Sequence, residues 1–405
     1  MTHTPQAPPR FAARQSRAAS RLPSLIGLVL FGAVLALTVS EAALRMLPAP
    51  ERKAHLVSDR VRHHRLRADW QGSVQGVPYR TNALGLRDRE LANPKPSGAI
   101  RVLMLGDSFT EGGGLADADT IPRRVEAALR ATCPGAQVIN AGVASYSPIL
   151  EYLLLKEVGP ALGPDLVVLN LDMTDVHDDL IRTALAETDA DGRPARVPSH
   201  RRRETALLLP PVFPAAVRPA EDALNRLALW QGFRKSHPGR SILGALNLDE
   251  PTLRARDLIG DLRYDRLAIT RDTPARDEAR AWNTTARYLA GIRRVADGLS
   301  ARFVVAVYPH AHQVAPHESP GSRASFGLGP GLYASDRPFR TVEAIGQREG
   351  FGVITLLETF RRRADPARPL FRPDDIHHTV DGARLTAEGI AAALLERALV
   401  PRCPR

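Results

Sequence analysis

Cysteine is nearly absent: Cys133 and Cys403 are the only two in 405 residues. That excludes a disulfide-dense scaffold, and their spacing does not suit a zinc site. One bridge between them fits an oxidising compartment, and two separate thiols are the alternative. Also missing are an internal repeat, a glycine-rich phosphate loop of recognised spacing and a basic stripe interleaved with aromatics. The formal charge of +11, from 55 basic and 44 acidic residues, would suit an anionic partner. However, the basic residues, nearly all arginine, are spread along the chain, so no nucleic-acid partner is expected. With 44% hydrophobic and 24% charged residues, the composition excludes global disorder.

Long apolar runs are scarce too, with one exception. Residues 1–21 carry Arg10, Arg14, Arg17 and Arg21 and no acid, and then Leu22 to Ser40 runs for 19 residues without a charge. That length crosses a hydrocarbon core as a helix. Arginines ahead of it and mixed charges behind it (Glu41, Arg45, Glu51, Arg52, Lys53) predict an N-terminus inside and the remainder outside. A cleaved signal peptide is the alternative, though its apolar region is usually shorter and ends at a small-x-small site. On either reading the remainder is exported. The expected organisation is a cytoplasmic tail over 1–21, a transmembrane anchor over 22–44, a juxtamembrane segment over 45–98 and a catalytic domain over 99–405.

From residue 101 short apolar runs alternate with helical stretches. Strands are predicted at 101–105, 137–140, 165–171, 302–309 and 351–357, and helices at about 120–131, 148–159, 277–299, 337–349 and 383–398. Such alternation predicts a parallel sheet covered on both faces, with any site beyond the carboxyl ends of the strands. An insertion over about 190–275, rich in proline and arginine, breaks the rhythm. Short helices are expected there near 220–232 and 252–260, and a role in shaping acceptor choice rather than in chemistry.

Ser108 follows the first of these strands, in the turn GDSFTEG. A serine hydroxyl is a poor nucleophile until a base takes its proton. A strand-to-helix turn exposes that hydroxyl and offers backbone N–H groups to a developing oxyanion.

LMLGDSFTEGGG, VINAGVASYSP, PDLVVLNLDMTDVHDD and FRPDDIHHTVDG resemble, in that order, the blocks of SGNH/GDSL hydrolases. YRTNALGLRDREL and SEAALRML look like the lead-in of membrane-anchored bacterial members. The resemblance covers residues 78–180 and 300–400. It implies a three-layer, flavodoxin-like α/β fold with a parallel sheet, preceded by one transmembrane helix. It also implies an oxyanion hole built from the Ser108 and Gly142 N–H groups and a side chain of the third block. That block departs from the family's Gly-x-Asn-Asp: the chain reads Asp172-Met173-Thr174-Asp175, so Thr174 stands where the amide donor belongs. A hydroxyl can still donate one hydrogen bond, whereas loss of a donor costs about two to three orders of magnitude in rate. Asp175 is expected to be structural.

By the same resemblance His377, five positions before Gly382, is the base. An upstream acid should hold its tautomer and stabilise the imidazolium. Asp374 and Asp375 both qualify by spacing, with Asp374 preferred. A second alignment sets DGARLTAEG on the family's DGxHLTxEG, which puts Arg384 in place of the base and makes the protein inert. His378 is expected to have no role. His310 and His312 are expected near the cleft without binding metal, His177-Asp178-Asp179 to be a solvated helix start, and Trp70, Trp230 and Trp282 to pack, with Trp230 also able to stack on a sugar. The implied function is an extracytoplasmic serine esterase or O-acyltransferase acting on acyl esters of cell-surface or exported polysaccharide, or on small esters. It would sit in the inner membrane by a single pass, need no cofactor or metal, and work beside an export-assembly partner. The alternative is a catalytically degenerate relative that binds glycans or scaffolds.

Overall fold

Five apolar runs build the centre of the molecule. In the computed structural model, residues 22–46, 55–199, 228–235, 242, 265–274 and 277–400 are described. Their strands are β1 (Leu56–Ser58), β2 (His64–Leu66), β3 (Gln71–Val74), β4 (Val77–Arg80), β5 (Ile100–Gly106), β6 (Ala136–Gly142), β7 (Leu166–Leu171), β8 (Glu187–Thr188), β9 (Pro194–Arg196), β10 (Arg302–Val307) and β11 (Gly352–Thr355). β5, β6, β7, β10 and β11 form one parallel sheet in the order β11-β10-β7-β5-β6. These are the five strands expected from sequence. All residues of β5 and β7 are buried, as strands covered on both faces should be.

The helices are α1 (Leu22–Met46), α2 (Ser108–Glu111), α3 (Ile121–Arg130), α4 (Pro148–Leu162), α5 (Asp175–Leu185), α6 (Ala228–Lys235), α7 (Glu278–Gly298), α8 (Ala311–Val314), α9 (Pro320–Ser325), α10 (Arg337–Glu349), α11 (Leu357–Arg363) and α12 (Val380–Glu396). Strand side chains alternate between two cores, as period-2 geometry requires. Leu103, Leu105, Val167, Leu169, Val305 and Val307 pack with α4, α5, α7 and α10, while Val102, Met104, Val168, Val304 and Ala306 pack with α3, α11 and α12. On α3, Ile121, Val125 and Leu129 recur every four residues and fill the second core. The result is a three-layer α/β domain.

Two glycines bring the first helix close to the sheet. Gly106 has φ +153°, and a Cβ there would lie 2.2 Å from Thr110 Oγ1; at its sheet neighbour Gly142, a Cβ would lie 2.2 Å from Glu111 N. Strands β5 and β6 therefore end in a notch that α2 enters, and Ser108 opens that helix at the carboxyl rim.

The stretch before residue 99 is built into the domain. It forms two antiparallel hairpins, β1–β2 and β3–β4, and buries Leu66, Val74, Tyr79, Leu86, Arg87 and Asp88. Arg87 donates to the carbonyls of Glu111, Gly112 and Leu115 at 2.8, 2.5 and 2.7 Å, and its guanidinium lies 4.4 Å from the Tyr79 ring. Tyr79 donates to Glu111 Oε1 at 2.9 Å, and Asp88 accepts from Asn140 N–H at 2.8 Å. This segment braces α2 from outside.

Among the described helices, α1 is long and apolar enough to cross a membrane, and no residue of Ile26–Ala43 is buried. Of the insertion, α6 is described, with Trp230 stacked on Phe233 at 5.7 Å. The helix expected near 252–260 lies outside the described residues. Cys133 is buried and disulfide-bonded, while Cys403 lies outside the described residues.

Candidate active site

Asp107 caps α2: its Oδ1 accepts from Phe109 N–H at 2.9 Å, which fixes Ser108 at the helix start. Ser108 Oγ lies 2.7 Å from His377 Nε2, and His377 Nδ1 lies 2.7 Å from Asp375 Oδ1. The serine thus comes from the β5–α2 turn, and the other two from the loop ahead of α12. Arg372 N–H donates to His377 carbonyl at 2.9 Å, closing that loop, and Ser319 Oγ donates to Asp375 carbonyl at 2.9 Å. The Arg372 guanidinium also donates to Gly113 carbonyl and Gln75 Oε1 and stands 3.8 Å from Asp375. Gln75 belongs to the β3–β4 turn, so the N-terminal hairpin reaches the rim of the site.

Burial works against charge on His377, yet the bonded Asp375 carboxylate outweighs it and holds the ring above the ordinary histidine value. Burial would raise Asp375, but His377 and Arg372 together hold it below the usual carboxylate range. Such a pair keeps the imidazolium that forms when the serine proton is taken.

Of the two acids, the structure brings Asp375 and not the preferred Asp374 to His377. Asp374 is exposed and makes no hydrogen bond to His377 among the described residues, whereas Asp375 is bonded to it. Arg384 pairs with Asp381 at 2.8 Å on α12, so the alignment that places the base there does not meet Ser108. His378 is buried among Phe109, Tyr308, Phe360 and Phe371. Burial and the neighbouring His377 push it down to about 3, and it packs as a neutral ring.

The two additional oxyanion donors expected from sequence are already engaged. Gly142 N–H donates to Asn140 Oδ1 at 3.0 Å. The Thr174 hydroxyl donates to Asp172 Oδ2, and Thr174 N–H donates to the same oxygen at 3.2 Å. Beyond Gly142 the loop turns at Ser145, exposed and left-handed at φ 62°, with its carbonyl accepting from Arg182. Strained positions of this kind gather at functional sites; nothing in the sequence marks this one.

Behind the serine lies a set of buried acids that sequence reasoning missed. His177 and Asp179 are buried, so the start of α5 is interior rather than solvated. Asp172 Oδ1 lies 2.6 Å from His310 Nε2. Burial would raise Asp172, but His310 holds it well below the usual range. Burial and neighbouring acids raise Glu151 and Asp175 well above it, and burial pushes Asp179 up to about 7. His310 and His312 are likewise buried, the latter 2.7 Å from Thr270 Oγ1. Asp107, Asp172 and Asp175 approach within 4.8 Å of one another. Asp107 accepts from Phe109 N–H at 2.9 Å, Asp172 meets His310 Nε2 and accepts from the Thr174 hydroxyl, and Asp175 accepts from Asp172 N–H at 2.9 Å, so the three belong to one hydrogen-bonded acid network. The signal available in sequence was weak, because each acid sits in a different motif.

No family model and no curated protein matches the chain. Among solved structures it is similar to a catalytic mutant of Axe2, an acetylxylan esterase from Geobacillus stearothermophilus, at 13% identity and TM-score 0.36, covering 72% of this chain and 93% of that one. It is similar to TesA at 13% identity and TM-score 0.36, covering 73% and 97%. A GDSL-like lipase from Bacteroides thetaiotaomicron is similar at 12% identity and TM-score 0.34, covering 76% and 93%. These likenesses are too distant to assign a reaction.

Proposed function

We propose that the chain is an SGNH/GDSL-type serine enzyme that cleaves acyl esters, with Ser108 as nucleophile, His377 as general base and Asp375 as its orienting acid. The observation that carries this reading is the relay of two 2.7 Å contacts, Ser108 Oγ to His377 Nε2 and His377 Nδ1 to Asp375, at the carboxyl rim of a parallel sheet. Ser108 Oγ attacks the ester carbonyl while its proton moves to Nε2. The tetrahedral oxyanion faces the Ser108 N–H at the start of α2, where helical N–H groups have no intrahelical partner. Collapse returns the proton to the leaving alcohol and leaves an acyl-serine. Water or a sugar hydroxyl then bonds to the acyl carbon as its proton passes to His377 Nε2, and the Oγ–acyl bond breaks as Ser108 Oγ takes that proton back.

The substrates we infer are O-acyl groups of cell-surface or exported polysaccharide, handled outside the cytoplasm by a domain tethered through α1 to the inner membrane. The uncharged span behind four arginines supports this placement, as does the bonded state of Cys133, since disulfides persist in oxidising compartments. The engagement of Gly142 N–H and the Thr174 hydroxyl favours one second reading, a relative that binds glycans or an export assembly without turnover.

Labelling of the purified protein by a fluorophosphonate, with Ser108→Ala as control, separates the two. Labelling that depends on Ser108 is expected. A folded wild type that takes no label would leave only the binding reading. Serine and histidine act as one unit, so Ser108→Ala/His377→Ala should be little slower than either single change.

A further inference from the structure

Asp107, like His377, touches Ser108 Oγ. The residue is buried, its Oδ1 is held by Phe109 N–H, and its Oδ2 lies 3.2 Å from Ser108 Oγ. Ser108 Oγ is also 2.7 Å from His377 Nε2. A hydroxyl has one proton to donate and can direct it to one of these partners. An ionised Asp107 takes it, and His377 can then bond Oγ only as a donor, in the imidazolium form that is useless as a base. A neutral Asp107 instead donates its own O–H to Oγ.

We propose that Asp107 is a positioning residue that works as the neutral acid, donating to Ser108 Oγ so that the serine proton is turned onto His377 Nε2. This rests on the reading of Ser108 and His377 as nucleophile and base. In the attack step the Oγ–carbon bond forms, the carbonyl π pair moves to oxygen and the serine proton moves to Nε2. Asp107 keeps its proton throughout.

The groups around Asp107 favour the neutral form. Asp172 and Asp175, at the junction of β7 and α5, approach it within 4.8 Å. Glu151 of α4 adds a further repulsion, and among the described residues both of its buried oxygens lack a hydrogen-bond partner. Tyr308, just past β10, is buried, its hydroxyl has no hydrogen-bond partner among the described residues, and it feels the same acids. His310 is paired with Asp172, and His377 opposes the repulsion when it is protonated. Burial, and then the charge of Asp172, push Asp107 up to about 7. Like charges crowded in a dry site cannot all ionise.

The test compares wild type, Asp107→Asn, Asp107→Ala and Ser108→Ala, full-length in detergent, from about pH 5 to about pH 9. The readouts are kcat/KM for a chromogenic acetyl ester, fluorophosphonate labelling and circular dichroism. Asparagine keeps an acceptor for Phe109 N–H and presents a permanent N–H donor to Ser108. Wild-type activity should fall on the alkaline side as Asp107 ionises. Asp107→Asn should lose that limb and exceed wild type by about tenfold or more near pH 9, while Asp107→Ala should be slow at every pH. An alkaline limb unchanged in folded Asp107→Asn, or absent from wild type, would overturn the proposal while leaving the serine-enzyme reading intact. Failure of Ser108 to label in the folded wild type would instead remove that parent reading, and this proposal with it.

Discussion

A histidine ring can serve as a base only while something fixes which nitrogen carries its proton, and the group bonded to His377 Nδ1 is Asp375 rather than its neighbour. Replacing Asp375 by alanine removes the 2.7 Å partner of Nδ1. It should lower kcat/KM for a chromogenic acetyl ester by about three to four orders of magnitude, while Asp374→Ala should stay within about threefold of wild type. Arg384→His should give no gain, because Arg384 is bonded to Asp381 on α12. Activity created by Arg384→His in a protein otherwise inert would mean the base has been misassigned. Ser108 and His377 were readable in the chain because each sits in a short local motif beside a predicted element. The choice between Asp374 and Asp375 was not. Both spacings occur, and the decision lies in the loop closed by Arg372 N–H on the His377 carbonyl, a contact with no sequence signature. The buried acids were hidden for a related reason: Asp107, Glu151, Asp172 and Asp175 come together only when β5, β7, α4 and α5 are stacked.

A strand covered on both faces announces itself as an unbroken apolar run, as β7 does, and all five central strands were legible as short apolar runs between helical stretches. The four-residue helix α2 was not, since it has no period to read. Its place is set by the notch at Gly106 and Gly142. A methyl group at Gly142 would stand 2.2 Å from Glu111 N and 2.6 Å from Thr110 carbonyl carbon, which are backbone atoms that cannot swing aside. Gly142→Ala should therefore push α2 away from β6 and carry Ser108 with it. Misplacing a reacting group by about 1 Å can cost about a hundredfold in rate, so kcat should fall by about that much, with KM much less affected and the melting temperature lowered by several degrees. Wild-type kcat in a folded Gly142→Ala protein would show that α2 is not seated by this contact. The two N-terminal hairpins also escaped notice, because strands of three or four residues with mixed burial lack a readable alternation.

Stability of the whole domain should respond to its buried acids. Asp107, Glu151, Asp175 and Asp179 are held above the usual carboxylate range. Their stabilising contribution is complete below the ordinary carboxylate value and is lost as pH rises through their folded values. Asp172 and Asp375 are held below that range, and their contribution is lost only in strong acid. The melting temperature should therefore peak in mildly acidic solution and fall by several degrees toward about pH 8; a flat profile would mean these acids are screened. The same scale decides where the domain begins. The sequence suggested a juxtamembrane segment over 45–98, ahead of the catalytic domain, because that stretch is polar and proline-containing. In the folded chain Leu66, Tyr79, Leu86 and Arg87 are buried there, and Arg87 and Tyr79 hold the backbone and side chain of Glu111 at the end of α2. Burying each large apolar side chain is worth about 1.5–3 kcal/mol, and cutting the segment away would strand the carbonyls of Glu111, Gly112 and Leu115 without their guanidinium. A chain starting at residue 55 should be soluble, fold cooperatively and keep the ester-cleaving activity proposed for the full protein. A chain starting at residue 99 should aggregate or melt at least about 10 °C lower, with little activity. Equal melting temperatures and equal turnover for the two truncations would show that the segment only lies against the domain and that the nucleophile helix stands without it.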